Sequence, residues 1–232
     1  MRLSMGGWVE NRLRRLPKGL AIIMEETGSR RGSCPMGTRE MPDSSRWPGT
    51  AGMPLTVVGG LPAAGKTSVC REILRLRAEV QPQSQPPTWL RIDSIEQALR
   101  DSGEMLPGMP AGAGYYAAAA VARDVLASGG DVLVECVNPL PLTRRLWEET
   151  ASDLGARSLA VELICSDEAE HRRRAQQRVS DIKGLELPGW QEITHRDYVP
   201  WPEADLRLDT ARLTVTEAAR AIVDLGPADG TR

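Results

Sequence analysis

The chain has 232 residues, 41% of them apolar and 26% charged, with a net charge of −2 at neutral pH. That length buries the core of one large domain or two small ones without disulfide or metal staples. The balanced charge lacks the strong basic field of a duplex-binding protein, so no duplex nucleic acid is expected as a partner. Charge is nonetheless uneven, with nine Arg/Lys against five Asp/Glu in residues 1–52 and twenty against twenty-six in the rest.

Residues 25–52 are rich in Gly, Ser, Pro, Arg and Glu and show no apolar period of 2 or 3.6. Such a composition cannot offset the entropy of ordering a core, so residues 1–52 are expected to form a flexible extension. Met53 stands directly before the first strand-like run, which leaves open whether the extension is a true tail or lies ahead of the natural start. The apolar stretch Gly19 to Met24 is too short and too closely flanked by charge for a signal peptide or a membrane span, so the expected location is cytoplasmic, with no membrane partner. Cys34, Cys70, Cys136 and Cys165 have no C-x-x-C spacing, which suits reduced thiols better than zinc ligands or disulfides.

From Pro54 on, apolar runs alternate with helical patterns. The expected order is strand 55–59, helix 66 to about 79, an exposed Pro- and Gln-rich loop 80–87, strand 89–92, a short helix from 94, and helix 115–127. Strand 132–137, helix 142–154, strand 159–165, helix 168–179, strand 206–208 and helix 214–225 follow. This alternation predicts an α/β fold, a five-stranded parallel sheet with helices on both faces, over residues 53–226, leaving 227–232 as a tail.

Between the first strand and its helix, Gly60-Leu61-Pro62-Ala63-Ala64-Gly65-Lys66-Thr67 completes G-x-x-x-x-G-K-[ST], the pattern of a phosphate-binding loop. Glycines let successive backbone N–H groups turn inward around phosphates, the lysine reaches the β- and γ-phosphates, and the hydroxyl ligates Mg²⁺. The helix that opens at Lys66 and continues through Ser68 adds its positive end. Lys66 is one of only three lysines, with Lys18 and Lys183, in a chain whose basic positions are otherwise arginine. It is expected to be a partly exposed ligand to phosphate.

Asp93 follows Trp89-Leu90-Arg91-Ile92 and so falls at the carboxyl edge of the second strand, where open α/β sheets bind ligands. A carboxylate there orients an acceptor hydroxyl and takes its proton, and the plainer alternative is a helix cap with Ser94. Glu135 ends the apolar run Val132-Leu133-Val134, where P-loop proteins present an acid to the water shell of Mg²⁺; the alternative is a simple strand-end acid. Arg174 and Arg178 are four apart on the expected helix 168–179 and would share a face able to grip triphosphate oxygens, against the alternative of a solvated basic helix paired to Glu168 and Glu170. His171 and His195 have no triad or ligand spacing and read as surface residues. Trp190, Tyr198 and Trp201 read as packing rather than stacking platforms.

Taken with Val137-Asn138-Pro139, Arg144, Trp147, Cys165-Ser166-Asp167, His171 to Arg174, Asp181-Ile182, Trp190 and Asp209-Thr210, these residues make the chain resemble the AAA-type P-loop ATPases grouped with small-molecule kinases. In outline it is similar to chloramphenicol phosphotransferase. The resemblance implies that Gly60 to Ser68 with Asp209 and Thr210 bind ATP, the latter two beside the adenine. It implies that Thr67 and Glu135 serve Mg²⁺, that Asp93 is the acceptor-side base, and that Lys66, Arg174 and Arg178 act on the transferred phosphoryl group. Two departures stand out: Ala63-Ala64 replaces the usual Gly-Ser, expected to be tolerable because those positions contribute backbone N–H groups, and Glu135 replaces Asp. The implied activity is ATP- and Mg²⁺-dependent phosphoryl transfer to a hydroxyl of a small molecule. A polynucleotide or nucleotide kinase, or a regulatory ATPase without an acceptor, are the rival readings.

Overall fold

A computed structural model describes residues 55–105 and 112–225. The expected extension 1–52 and the tail 227–232 lie outside the described residues. The first strand, β1 (Leu55–Gly59), leads through the glycine-rich loop into α1 (Lys66–Val80). β2 (Thr88–Arg91) runs directly into α2 (Ile92–Asp101), and α3 (Ala113–Ala127) precedes β3 (Val132–Glu135). Then come α4 (Pro141–Ser152), β4 (Ser158–Ile164), α5 (Glu168–Gln177), the short α6 (Trp190–Thr194), β5 (Leu206–Asp209) and α7 (Val215–Asp224).

The five strands form one parallel sheet in the order β2-β3-β1-β4-β5. Period-2 alternation along the strands loads both faces. Val58, Leu133, Leu159, Val161 and Leu163 pack with Val69, Ile73 and Leu76 of α1 and Ala218, Ala219 and Ile222 of α7. Leu55, Val57, Val132 and Val134 face the other way, against Ala118, Ala119 and Ala122 of α3 and Trp147 and Ala151 of α4. A strand covered on both sides has no polar face to show, which is why these runs read as unbroken apolar stretches. β1 sits centrally, and its carboxyl end opens at the point where the chain switches from building the β3 side to building the β4 side, the place where such sheets bind ligands.

Element ends depart from the sequence expectation where a local constraint intervenes. α2 starts at Ile92 rather than at 94, because Ile92 is buried among the α3 residues and the helix must begin there to place it. β3 stops at Glu135, and Asn138 takes a left-handed φ of 53° that no strand holds. α5 ends at Gln177, with Arg178 extended (φ −66°, ψ 144°). α6 was not expected in its Pro-punctuated stretch; it forms because Glu192 reaches back to the Gly189 N–H and supplies a cap that the local pattern does not advertise. Among the described residues no helix is long and apolar enough to cross a membrane.

Candidate active site

The loop after β1 is built around positions that only particular backbones permit. Gly60 has φ +139°, and a Cβ there would stand 2.2 Å from the Leu163 carbonyl oxygen. Its N–H donates to Val137 O at 3.0 Å, tying the loop to the end of β3. Gly65, at φ +93°, precedes the first helical residue. Ala63 also lies in the left-handed region, at φ 65°. The Gly-to-Ala departure is thus accommodated at a cost, since a residue with a Cβ gives up about 1–2 kcal/mol in this region.

Lys66 is 8% exposed, not the partly exposed ligand expected. Its Nζ donates to Gly60 O and to Leu61 O, each at 2.9 Å, so the loop curls around the ammonium. Burial lowers the pKa of Lys66, and the charges of Asp93 and Glu135 oppose that shift. Lys66, Thr67 and Ser68 form the first turn of α1, whose N–H groups have no carbonyl four residues back within the helix and face the loop.

Thr67 donates its hydroxyl to Oε1 of Glu135, which is buried at the end of β3. The other carboxylate oxygen, Oε2, is buried without a hydrogen bond. A hydroxyl paired with a carboxylate that keeps one unsatisfied oxygen is a donor set that fits Mg²⁺: a direct ligand from Thr67 and an acid toward the ion's water shell. Next to Glu135 across the sheet is Arg91, its register partner on β2, with Nε 3.4 Å from Oε2.

Asp93 occupies the first turn of α2 with an exposed side chain. The cap position belongs to Arg91, and no side chain caps that helix, so the plainer alternative for Asp93 does not hold. It stands two residues past the carboxyl end of β2, and its negative charge favours the charged forms of both Lys66 and Arg178. Behind it, burial raises the pKa of Glu96, and the Tyr115 hydroxyl accepts the Asn138 N–H at 2.9 Å.

The two expected lid arginines end in different places. Arg174 donates Nη1 to Thr210 Oγ1 at 2.9 Å and Nη2 to Thr210 O at 3.0 Å, and is braced by Glu170 at 2.7 Å. Thr210 in turn donates to Ala64 O at 3.0 Å, so Arg174 backs the loop from behind. Arg178, past the helix end, donates to Pro188 O at 2.9 Å and leaves a buried Nε unpaired. Burial lowers its pKa, while Asp93 works in the opposite direction. A shared helical face was expected for the pair, but α5 stops before Arg178. Asp209 accepts the Ser166 N–H at 3.0 Å and the Ala211 N–H at 3.0 Å, so it organises the turn that carries Thr210.

Several residues at the site were not anticipated. His171 is buried, with Nε2 donating to Pro62 O at 2.8 Å and its ring edge-on to Trp190 at 5.3 Å, so it props the loop from below and is not a surface residue. Its one sequence signal is its place on the inner side of a helix following a strand. Arg144 is buried beneath Tyr198 and Trp201 and donates to carbonyls of Asn138 and Pro200, joining the segments after β3 and α6. Tyr198 and Trp201 thus serve packing, as expected, with the Tyr198 hydroxyl donating to Glu162 at 2.7 Å. Arg91 and Asp181 form a bidentate pair, and the signal for it was a lone charge inside the run Trp89 to Ile92.

No protein-family model matches the chain, and no curated protein matches it. Solved structures do. APE1195 superposes with a TM-score of 0.57 at 20% identity over 78% of this chain and 98% of its own. Kti12 of Chaetomium thermophilum, solved with ADP-AlF3, gives 0.55 at 20% identity over 75% and 100%. The Mycobacterium tuberculosis APS kinase CysC, solved with AMPPNP and APS, gives 0.51 at 22% identity over 75% and 97%. At these identities the likeness is one of fold, and that fold is the α/β P-loop kinase sandwich.

Proposed function

We propose that the protein is an ATP- and Mg²⁺-dependent phosphotransferase that moves the γ-phosphoryl group to a hydroxyl of a small molecule. The observation that carries this reading is Asp93: an exposed carboxylate in the first turn of α2, directly after the carboxyl end of β2, that caps no helix. A nucleotide switch needs the loop but has no use for a carboxylate on the acceptor side. The resemblance to chloramphenicol phosphotransferase, carried by the loop, Asp93, the arginine-bearing helix and Asp209-Thr210, supports phosphoryl transfer and leaves the acceptor open.

Mg²⁺, held by Thr67 with Glu135 toward its waters, would neutralise charge on the β- and γ-oxygens. The chain's own residues do the remaining work. The N–H groups of the loop and of the first turn of α1 receive phosphate oxygens, and Lys66 turns from the Gly60 and Leu61 carbonyls to phosphate. Asp93 accepts a hydrogen bond from the acceptor hydroxyl, aligns its oxygen with the phosphorus and takes the proton as the new bond forms. Arg178 brings its unpaired guanidinium edge to the equatorial oxygens. Arg174 and Thr210 keep the loop in shape from behind.

The test is transfer of label from γ-labelled ATP to pooled hydroxyl metabolites and short oligonucleotides, repeated with Asp93→Asn. Asp93→Asn should bind ATP as the wild type does and lose roughly 10²–10⁴-fold in turnover with the true acceptor. Transfer left intact in that variant removes Asp93 from the chemistry. Labelled oligonucleotides instead of metabolites would make the protein a polynucleotide kinase.

A further inference from the structure

The segment from Arg178 to Gly189 crosses in front of the β2 edge as a strap without helix or strand. It is fastened by one carboxylate. Asp181 accepts two parallel hydrogen bonds from Arg91, Nη1 to Oδ2 at 2.8 Å and Nη2 to Oδ1 at 2.9 Å, and a third from Arg71 Nη2 at 2.6 Å. The Arg91 hydrogen bonds hold the Asp181 carboxyl below the usual carboxylate range.

Arg91 has a second edge. Its Nε lies 3.4 Å from Glu135 Oε2 as an ion pair, and these two buried atoms are each without a hydrogen bond. Strand register makes this proximity obligatory, since Arg91 and Glu135 are cross-strand partners. Trp89, two residues earlier on the same strand face, lies 5.0 Å under the guanidinium and restricts its swing. One planar fork thus faces the strap carboxylate on one side and the metal-facing carboxylate on the other.

We propose that Arg91 is the positioning residue for Glu135, and that Asp181 sets Arg91 through its bidentate grip, so that the strap and the Mg²⁺-facing acid are held by a single guanidinium. The inference rests on the nucleotide-site reading above. Thr67 can donate its proton to Glu135 Oε1 and still offer a lone pair to the ion, so the hydroxyl holds only one carboxylate oxygen and the buried Oε2 is left to Arg91. Among the described residues, Arg91 is the basic group paired with Glu135, and its Nε still has no hydrogen bond. Outer residues that orient metal-facing ligands typically account for 10–100-fold in metal affinity. Lysine would not substitute, because a point charge cannot hold one carboxylate bidentately and face another.

By linkage the coupling runs both ways: a strap docked on Arg91 favours metal at Glu135, and metal favours the docked strap. Calorimetry of ATP binding in Mg²⁺ and in EDTA gives the factor by which Mg²⁺ tightens ATP, and amide exchange of residues 179–185 gives strap order without reference to turnover. Asp181→Asn and Arg91→Lys should each cut that factor about tenfold with the metal-free affinity unchanged. Slowing of strap exchange by ATP·Mg²⁺ beyond that by ATP alone should vanish in both. Asp131→Asn, which breaks the Arg77 pair of 2.5 Å away from the site, should leave both readouts as in the wild type. A tightening factor that falls less than threefold in Asp181→Asn overturns the proposal even if the strap exchanges faster, because the grip is then only structural. A wild-type chain that binds ATP in neither condition overturns the nucleotide-site reading and this proposal together.

Discussion

Among the described glycines Gly60 leaves the least room for a Cβ, and the cost of Gly60→Ala follows from distances. An alanine there keeps a φ of +139°, which side-chain-bearing residues rarely adopt, and sets its Cβ 2.2 Å from Leu163 O, where 3.0 Å is the nearest approach that real Cβ atoms show. Relief requires a separation of about 0.8 Å between the β1 exit and β4, two central strands whose register pairs Gly59 with Glu162. Backbone strain of about 1–3 kcal/mol, overpacking of about 1–3 kcal/mol and loss of the buried Gly60–Val137 hydrogen bond at about 1 kcal/mol together give roughly 3–7 kcal/mol. That is a large part of the 5–15 kcal/mol typical of a whole domain. Gly65→Ala is the matched comparison. Its φ of +93° is also unfavourable, but the nearest atom, Thr210 Cγ2, is 3.6 Å away, so only strain of about 1–2 kcal/mol is expected. Urea unfolding with a common m-value measures both. Equal midpoints for the two variants would refute the reasoning, since the clash with a backbone oxygen is what separates them.

The arginines should part company in binding assays. Arg174→Ala, which removes the support behind Thr210 and Ala64, is expected to weaken ADP and ATP alike, whereas Arg178→Ala should weaken ATP more than ADP and lower turnover; calorimetry with both nucleotides distinguishes them. The Arg174 brace should also show in acid. Hydrogen bonds from Arg173 and Arg174 bring the Glu170 pKa to about 2, so its folded-state value lies below the unfolded one. The stabilisation is therefore complete above the ordinary carboxylate range and lost as pH falls through about 2. Glu170→Gln should be less stable than wild type near neutrality, with the difference disappearing toward pH 2 in urea midpoints, and a gap that persists at pH 2 would mean that charge is not its source.

The five-stranded parallel sheet was legible because strands buried on both faces carry no polar interruptions, and the loop was legible because Gly60, Gly65, Lys66 and Thr67 are constrained by backbone and by phosphate chemistry at fixed spacing. Helix and strand ends were less so. Ile92 looked like the last residue of a strand and is the first of a helix, since its apolar side chain satisfies either period and only packing against α3 decides. Periodicity carried the expected α5 two residues too far, and those residues include Arg178, whose place depends on Pro188, ten positions away. His171 had an inward helical position but no partner motif, because what it supports is the carbonyl of Pro62, 109 residues earlier.

This pattern of success and failure follows the division of labour within the site. The proposed donor half, from Gly60 through Thr67 with Thr210 behind it, would work through backbone N–H groups and buried contacts, and such parts demand specific residues at specific intervals. The proposed acceptor half would work through side chains that project from α2 and the strap: Asp93 and Asp181 are exposed, and Arg178 is half-buried. Nothing in the backbone of those elements restricts which polar residue occupies them, so Asp93 was readable only by its place after a strand, and Asp181 left no spacing to read. Arg91 stands at the junction, with its position dictated by the sheet through its pairing with Glu135 and its partner Asp181 supplied by the unconstrained strap. A change of acceptor is therefore open to this fold through α2 and residues 178–189, without touching the loop. Under the coupling proposed for Arg91, the limit on that freedom would be the carboxylate at 181, which sets the guanidinium facing Glu135.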